Sequence, residues 1–259
     1  MSTATPSHRE EIRSRRGHVL GGLAVRPAGT QTAPWALISH CFTCGKDLKV
    51  YHTLCRNLAA EGWASLRFDF TGLGKSGGEF GDTDLDSNVA DLEDAAAHLD
   101  EFYAPPRLLV GHSLGGAAAL LAAPRLPSLR GLVLLGAPSD LEHLAEAVPA
   151  IRAAAERGRP VATTLGGKRV EMGPGLLPSL ARHDLRAALA DLPLPLLVLH
   201  APGDSVVPFV HAERLARWAG PRATLIPLDA ADHLLTSPDQ AARAAREIVT
   251  WALPFAAPR

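Results

Sequence analysis

From Trp35 onward, short apolar runs alternate with amphipathic or alanine-rich stretches. Runs of this length bounded by turn residues read as strands buried on both faces. The pattern predicts strands at Trp35 to Ser39, Ala64 to Phe68, Leu108 to Val110, Gly131 to Leu135, Leu196 to His200 and Thr224 to Pro227. Helices are expected between them, near Asp47 to Glu61, Leu85 to Phe102, Leu114 to Ala123, Val210 to Trp218 and Pro238 to Trp251. Strand and helix in alternation is what a mostly parallel sheet with crossover helices on both faces requires, so the expected fold class is α/β. The segment from Glu11 to Val25, with Gly17 and the pair Gly21-Gly22, is a candidate antiparallel edge hairpin.

One stretch breaks the alternation. Leu141 to Asp191 is as long as a strand-helix-strand unit but lacks a continuous buried strand and is rich in Gly and Pro. It is expected to be an insertion, a small cap on a single domain spanning residues 1–259. Within it, Val161 to Leu165 and Lys168 to Met172 flank Gly166-Gly167, and a two-residue glycine link between β-prone runs signals a tight hairpin. Helical patterns at Leu141 to Arg157 and Gly175 to Leu189 would make the insertion helix, hairpin, helix. Leu144, Val148, Met172, Leu176 and Leu177 are candidates for an apolar pocket wall.

Composition narrows the function classes. The chain is 47% hydrophobic and 20% charged, enough apolar material for a large core. Net charge is −1 and the basic residues are scattered, so nothing points to nucleic acid or an anionic membrane. Neither a signal-peptide stretch in Met1 to Glu11 nor a bilayer-spanning apolar run is evident, which gives a cytoplasmic expectation. The three cysteines, Cys41, Cys44 and Cys55, are odd in number and are expected to be free thiols in a reducing compartment.

The strongest chemical signal is Gly111-His112-Ser113-Leu114-Gly115, set between the apolar run Leu108 to Val110 and the helix-favouring run from Ala117. In a G-x-S-x-G turn the serine sits on a strained strand-to-helix bend, and the small residues on either side let the flanking backbones approach. The hydroxyl of Ser113 is then lifted above the sheet. Leu114 N–H, at the helix amino terminus, faces negative charge developing on a substrate oxygen.

A serine hydroxyl needs a base to take its proton and a carboxylate to orient that base. Asp204 lies in the loop Ala201 to Pro208, just past the strand ending at His200, where α/β sheets place ligand-facing groups. Asp140, in Gly136 to Asp140, is its rival for the acid. His233 follows the last strand in Leu228 to His233 and is the expected base, giving the chain order Ser, Asp, His. His112 and His200 are expected to be structural, and Asp232 to point away from the serine.

The loop after the first strand, Ser39 to Gly45, is where this arrangement supplies its second oxyanion donor, and Phe42 N–H is the candidate. Cys41-Phe42-Thr43-Cys44 has the spacing of a redox motif, but no second pair exists for zinc, so packing of small thiols is the expected role.

Three segments, Ser39 to Asp47, Leu66 to Gly78 and the serine turn, together resemble the α/β-hydrolase half of bacterial proteins fused to an OsmC-type, peroxide-related domain. More distantly the chain resembles cinnamoyl or feruloyl esterases and acylglycerol lipases. The resemblance runs from about Trp35 onward and implies an oxyanion hole of Phe42 and Leu114 and a cap shaping the substrate pocket. Many esterase relatives carry glycines where this chain has Cys41 and Cys44. The sequence to Arg259 holds no OsmC half, so the chain is expected to find an OsmC-type partner or to do without one. Asp69, which could be mistaken for a dehalogenase nucleophile, is expected to brace a turn.

The expectation is therefore a serine hydrolase cleaving a small-molecule ester of a small or medium acyl group, without cofactor or metal. Amide hydrolysis or acyl transfer on the same triad is the alternative, and a redox-linked accessory role for Cys41 and Cys44 is the third. Oligomeric state is open, a homodimer included.

Overall fold

The computed structural model describes residues 6–29, 32–165 and 167–257; Gly166 of the expected glycine turn lies outside them, as do Met1 to Thr5 and Arg259. The chain runs β1 (Ser7–Arg13), β2 (Val19–Val25), β3 (Trp35–Ser39), α1 (Lys49–Ala60), β4 (Ala64–Phe68), α2 (Leu85–Phe102), β5 (Pro106–His112) and α3 (Leu114–Ala122). It continues through β6 (Gly131–Leu135), α4 (Glu142–Ala147), α5 (Pro149–Arg157), β7 (Val161–Leu165), β8 (Lys168–Met172), α6 (Leu176–Arg182) and α7 (Leu185–Ala190). It ends with β9 (Leu196–His200), α8 (Val210–Ala219), β10 (Ala223–Pro227) and α9 (Pro238–Ala252).

Among the described residues the main sheet has eight strands in the order β1-β2-β4-β3-β5-β6-β9-β10. The hairpin β1-β2 joins β4 antiparallel and the remaining neighbours pair parallel. The expected edge hairpin is present and begins earlier than Glu11, at Ser7. Side chains alternate across the sheet with period two. Leu37, Leu109, Leu132, Leu134 and Val198 enter the core shared with α2 and α3, while Ile38, Val110, Val133, Leu135 and Leu199 enter the one shared with α1 and α9.

From β3 the chain moves outward to β4, then returns to lay β5 on the other side of β3. The carboxyl ends of β3 and β5 thus diverge at a topological switch point, the place where open α/β sheets leave a crevice. The turn after β5 and the loop after β3 both open there, and glycine keeps them close. A Cβ on Gly115 would stand 2.2 Å from the His40 carbonyl oxygen, and one on Gly111 would stand 2.6 Å from the Gly115 oxygen.

The segment between β6 and β9 contains the hairpin β7-β8, paired antiparallel from Val161 opposite Met172 to Leu165 opposite Lys168. The two long helices expected around it are each broken. Pro149 has no N–H to continue a helix from α4 and instead starts α5. Asp184 accepts hydrogen bonds from Arg186 N and Ala187 N, capping α7 and separating it from α6. Val148, Met172 and Leu176, expected on a pocket wall, are buried in the core; Leu177 lines a cavity of about 660 Å³ beside Leu141 and Trp218.

Gly115→Ala is expected to destabilise the fold by about 1–3 kcal/mol, because the added methyl must displace backbone. A thermal melt should show a drop of roughly 2–10 °C, and an unchanged midpoint would mean that the His40 loop retreats freely.

Candidate active site

Ser113 ends β5 and starts α3 with φ of 54° and ψ of −125°, a left-handed conformation that a non-glycine residue adopts only when its surroundings impose it. Two bonds impose it. Ser113 N–H donates to the Leu135 carbonyl at 2.9 Å, and the Ser113 carbonyl accepts from Gly116 N–H at 2.8 Å. Its Oγ lies 3.0 Å from Nε2 of His233.

His233 stands in the loop between β10 and α9. Its Nδ1–H donates to Oδ2 of Asp204 at 2.7 Å, which leaves Nε2 free to accept from the serine hydroxyl. Asp204, after β9, is itself fixed: Oδ1 accepts from Val206 N–H at 2.8 Å and Val207 N–H at 2.9 Å. Burial works against its charge, but the hydrogen bond from His233 and those backbone donors outweigh it and hold its pKa below the ordinary carboxylate value. Asp140, the rival acid, pairs instead with Arg214 at 3.1 Å. Asp232 turns its carboxylate onto Leu234 N–H and Thr236, away from the serine.

Phe42 lies in the loop after β3, and its N–H donates to no acceptor among the described residues. Leu114 N–H opens α3, where the first backbone donors lack helical partners. The loop is anchored on both sides of Phe42. His40 Nδ1–H donates to Cys41 O at 2.8 Å and its Nε2 accepts from Phe70 N–H at 3.0 Å. Further on, Asp69 accepts from Lys46 N–H at 2.6 Å, from Lys46 Nζ at 2.9 Å and from Lys75 N–H at 2.9 Å, so it braces the loops as expected.

Tyr51 was not singled out by sequence reading. Its hydroxyl accepts from Cys41 N–H at 3.3 Å and donates to His112 Nδ1 at 2.8 Å, while His112 Nε2–H donates to the carbonyl of His233 at 2.8 Å. One buried chain thus runs from the β3 loop, through the residue beside the serine, to the backbone of His233. Burial first, then the neighbouring His233, depress the His112 pKa to about 3, so it stays neutral in this single tautomer. The sequence signal for Tyr51 is slight: a lone hydroxyl on the buried stripe Val50, Leu54, Cys55 and Leu58 of α1.

The cysteine expectation is corrected. Cys41 and Cys44 are joined in a disulfide across Cα atoms 5.3 Å apart, and Cys55 alone is a free, buried thiol. Odd cysteine count argued for free thiols; the geometry of the turn overrides it. Thr43 adopts φ of 57° and Cys44 N–H donates to Cys41 O at 3.2 Å, which folds the chain back to disulfide reach. Among the described residues no group of three or more His, Cys, Asp or Glu is arranged to hold a metal ion, and no helix is long and apolar enough to cross a membrane.

The same architecture occurs in known proteins. The profile of the serine aminopeptidase S33 family matches residues 34–173. The crystal structure of the esterase domain of a Rhodothermus marinus protein superposes with a TM-score of 0.78 at 34% identity, over 96% of this chain and 98% of that one. Est1E from Butyrivibrio proteoclasticus, solved with ferulic acid, shares the fold at 18% identity and a TM-score of 0.78, over 95% and 99% of the two chains. A putative hydrolase from Agrobacterium vitis S4 does so at 22% identity and a TM-score of 0.76, over 96% and 99%. With the family profile covering more than half of its length and an esterase domain matching nearly all of it, this chain belongs to the serine aminopeptidase S33 family of α/β hydrolases.

Proposed function

We propose that the protein hydrolyses carboxylic esters of small or medium acyl groups through an acyl-enzyme on Ser113. The observation that carries this reading is the continuous line Ser113 Oγ, His233 Nε2, His233 Nδ1, Asp204 Oδ2, with spacings of 3.0 and 2.7 Å at its two hydrogen bonds. The 34%-identical Rhodothermus marinus relative is an esterase domain, which favours an ester over an amide.

In this reading Ser113 Oγ attacks the ester carbonyl carbon while His233 Nε2 takes its proton. The imidazolium that forms is held by Asp204, whose depressed pKa keeps it charged for that purpose. Negative charge arriving on the carbonyl oxygen is met by Phe42 N–H and Leu114 N–H. When the tetrahedral species collapses, His233 returns the proton to the leaving alcohol, and the acyl group stays on Ser113. Water then repeats the sequence with His233 again as base, releasing the acid.

Ser113→Ala should lower kcat on p-nitrophenyl esters by about 10⁶-fold and abolish labelling by a fluorophosphonate. Full hydrolysis in that variant would overturn the mechanism. Asp204→Asn should cost about 10⁴-fold in kcat through loss of the useful histidine tautomer.

Asp204 also sets an acid limit on stability. A carboxyl with a pKa below its unfolded value of about 3.9 stabilises the native state above that value and loses the contribution as pH falls through the native pKa. The stability gap between wild type and Asp204→Asn is therefore expected in full above about pH 5 and to close on further acidification. Urea midpoints measured across that range check the sign, and a gap that widens in acid would contradict it.

A further inference from the structure

The backbone of the oxyanion loop is hydrogen-bonded to the rest of the protein on both sides of Phe42 but not in between. Cys41 is held by Tyr51 and His40, and Lys46 by Asp69. From Phe42 to Cys44, the ties among the described residues are the Cys44 N–H to Cys41 O bond, the disulfide and the packing of the Phe42 ring on the core and on Phe80, centroids 5.7 Å apart. Thr43, at the apex, is β-branched and sits at φ of 57°, a region such residues avoid unless the chain is forced there. The covalent bridge closes over the peptide whose N–H faces the proposed hole.

The two cysteines differ in exposure. Cys41 is 3% exposed. Cys44 is half-buried and lines an open cavity of about 580 Å³, whose other walls include Thr43, Gly74, Phe80 and, from the β7-β8 hairpin, Lys168 and Glu171. That volume is within the range that takes small molecules.

We propose that Cys41–Cys44 is an exchange-active disulfide, reached at Cys44 by small dithiols through this cavity, and that its closure fixes Phe42 N–H for catalysis. The inference rests on the reading of Phe42 as an oxyanion donor. A thiolate of the dithiol attacks Cys44 Sγ, forms a mixed disulfide there and expels Cys41 as thiolate. The second thiol of the reagent, as its thiolate, attacks the reagent sulfur, closes the reagent's own disulfide and releases Cys44 as thiolate. Each protein thiolate takes one of the two protons the dithiol has lost, so the protein gains two electrons and two protons. A small-molecule disulfide reverses the exchange. Once open, the turn keeps one backbone hydrogen bond, while the packing of the Phe42 ring holds the side chain and not the peptide, so Thr43 can relax and the Phe42 N–H loses its fixed direction.

The test divides purified full-length protein into a form oxidised with glutathione disulfide and a form reduced with dithiothreitol, desalted without air. Alkylation in denaturant, read by mass, gives the thiol count of each. With p-nitrophenyl acetate the reduced form should show kcat lower by about 10- to 10²-fold, within the limit set by loss of one oxyanion donor. KM and the melting temperature should change little, and reoxidation should restore the rate. The double variant Cys41→Ser, Cys44→Ser should match the reduced form and ignore both reagents, whereas Cys55→Ala should respond as wild type does.

Equal kcat in both redox states, with Ser113 still labelled by fluorophosphonate, overturns the inference and leaves the hydrolase reading standing. So does a bond that dithiothreitol cannot open in the native protein, or a double variant that works at the oxidised rate. If neither form hydrolyses esters nor labels at Ser113, the hydrolase reading itself fails.

Discussion

The carbonyl oxygen of His40 occupies the place where any side chain on residue 115 would begin. That contact brings the loop after β3 against the amino terminus of α3, and the closeness of the Phe42 loop to Ser113 follows from it. Bound on one side by a helix start and on the other by the loop that carries Phe42, Ser113 has no freedom to drop back into regular geometry. The left-handed φ at Ser113 is the local cost of placing its hydroxyl at the point where two crossovers diverge. The energy comes from strands buried on both faces, whose alternating Leu, Ile and Val side chains fill two cores at once.

Histidines are distributed around this point with a division of labour that burial explains. His40, His112 and His200 are buried, and burial drives each toward the neutral form. A neutral imidazole has one donor and one acceptor, so His40 and His112 each bridge two fixed groups with a set polarity, while His200 uses one nitrogen only. His40 spans Cys41 O and Phe70 N–H, and His112 spans Tyr51 and the His233 carbonyl. His200 donates to Val207 O and so steadies the loop that carries Asp204. His233 differs because its Nδ1 faces a carboxylate whose charge is secured by backbone donors. Its other nitrogen, Nε2, faces the Ser113 hydroxyl at 3.0 Å.

Strand positions and the order Ser, Asp, His were legible because each leaves a contiguous mark: an apolar run followed at once by the chemical residue. Asp204 could be preferred over Asp140 on position alone, and the structure gives Asp140 to Arg214. Breaks at Pro149 and Asp184 were present as residues, yet the apolar pattern ran through them and masked the stop. Tyr51 was illegible for a different reason. Its partners are Cys41 and His112, the latter 61 positions away, and nothing on one helix face announces a pairing made across the sheet. The Cys41–Cys44 bridge was misread because cysteine count speaks of the compartment, whereas a bridge over two residues is decided by the turn between them.

Side chains that must meet at one point keep their geometry to within about 0.5 Å only where their neighbours are themselves fixed. Ser113 is held from β6 through Leu135, His233 from the serine turn through His112, and Asp204 by its own loop. Each of these supports comes from a different strand end, so a shift in one loop is resisted by the others. Phe42 stands apart from this mutual bracing. Its peptide is bracketed by anchors at Cys41 and Lys46, but between them a strained threonine must be kept in place by the residues on either side. A glycine there could adopt the turn without constraint; a threonine requires one, and the covalent bond from Cys41 to Cys44 supplies it.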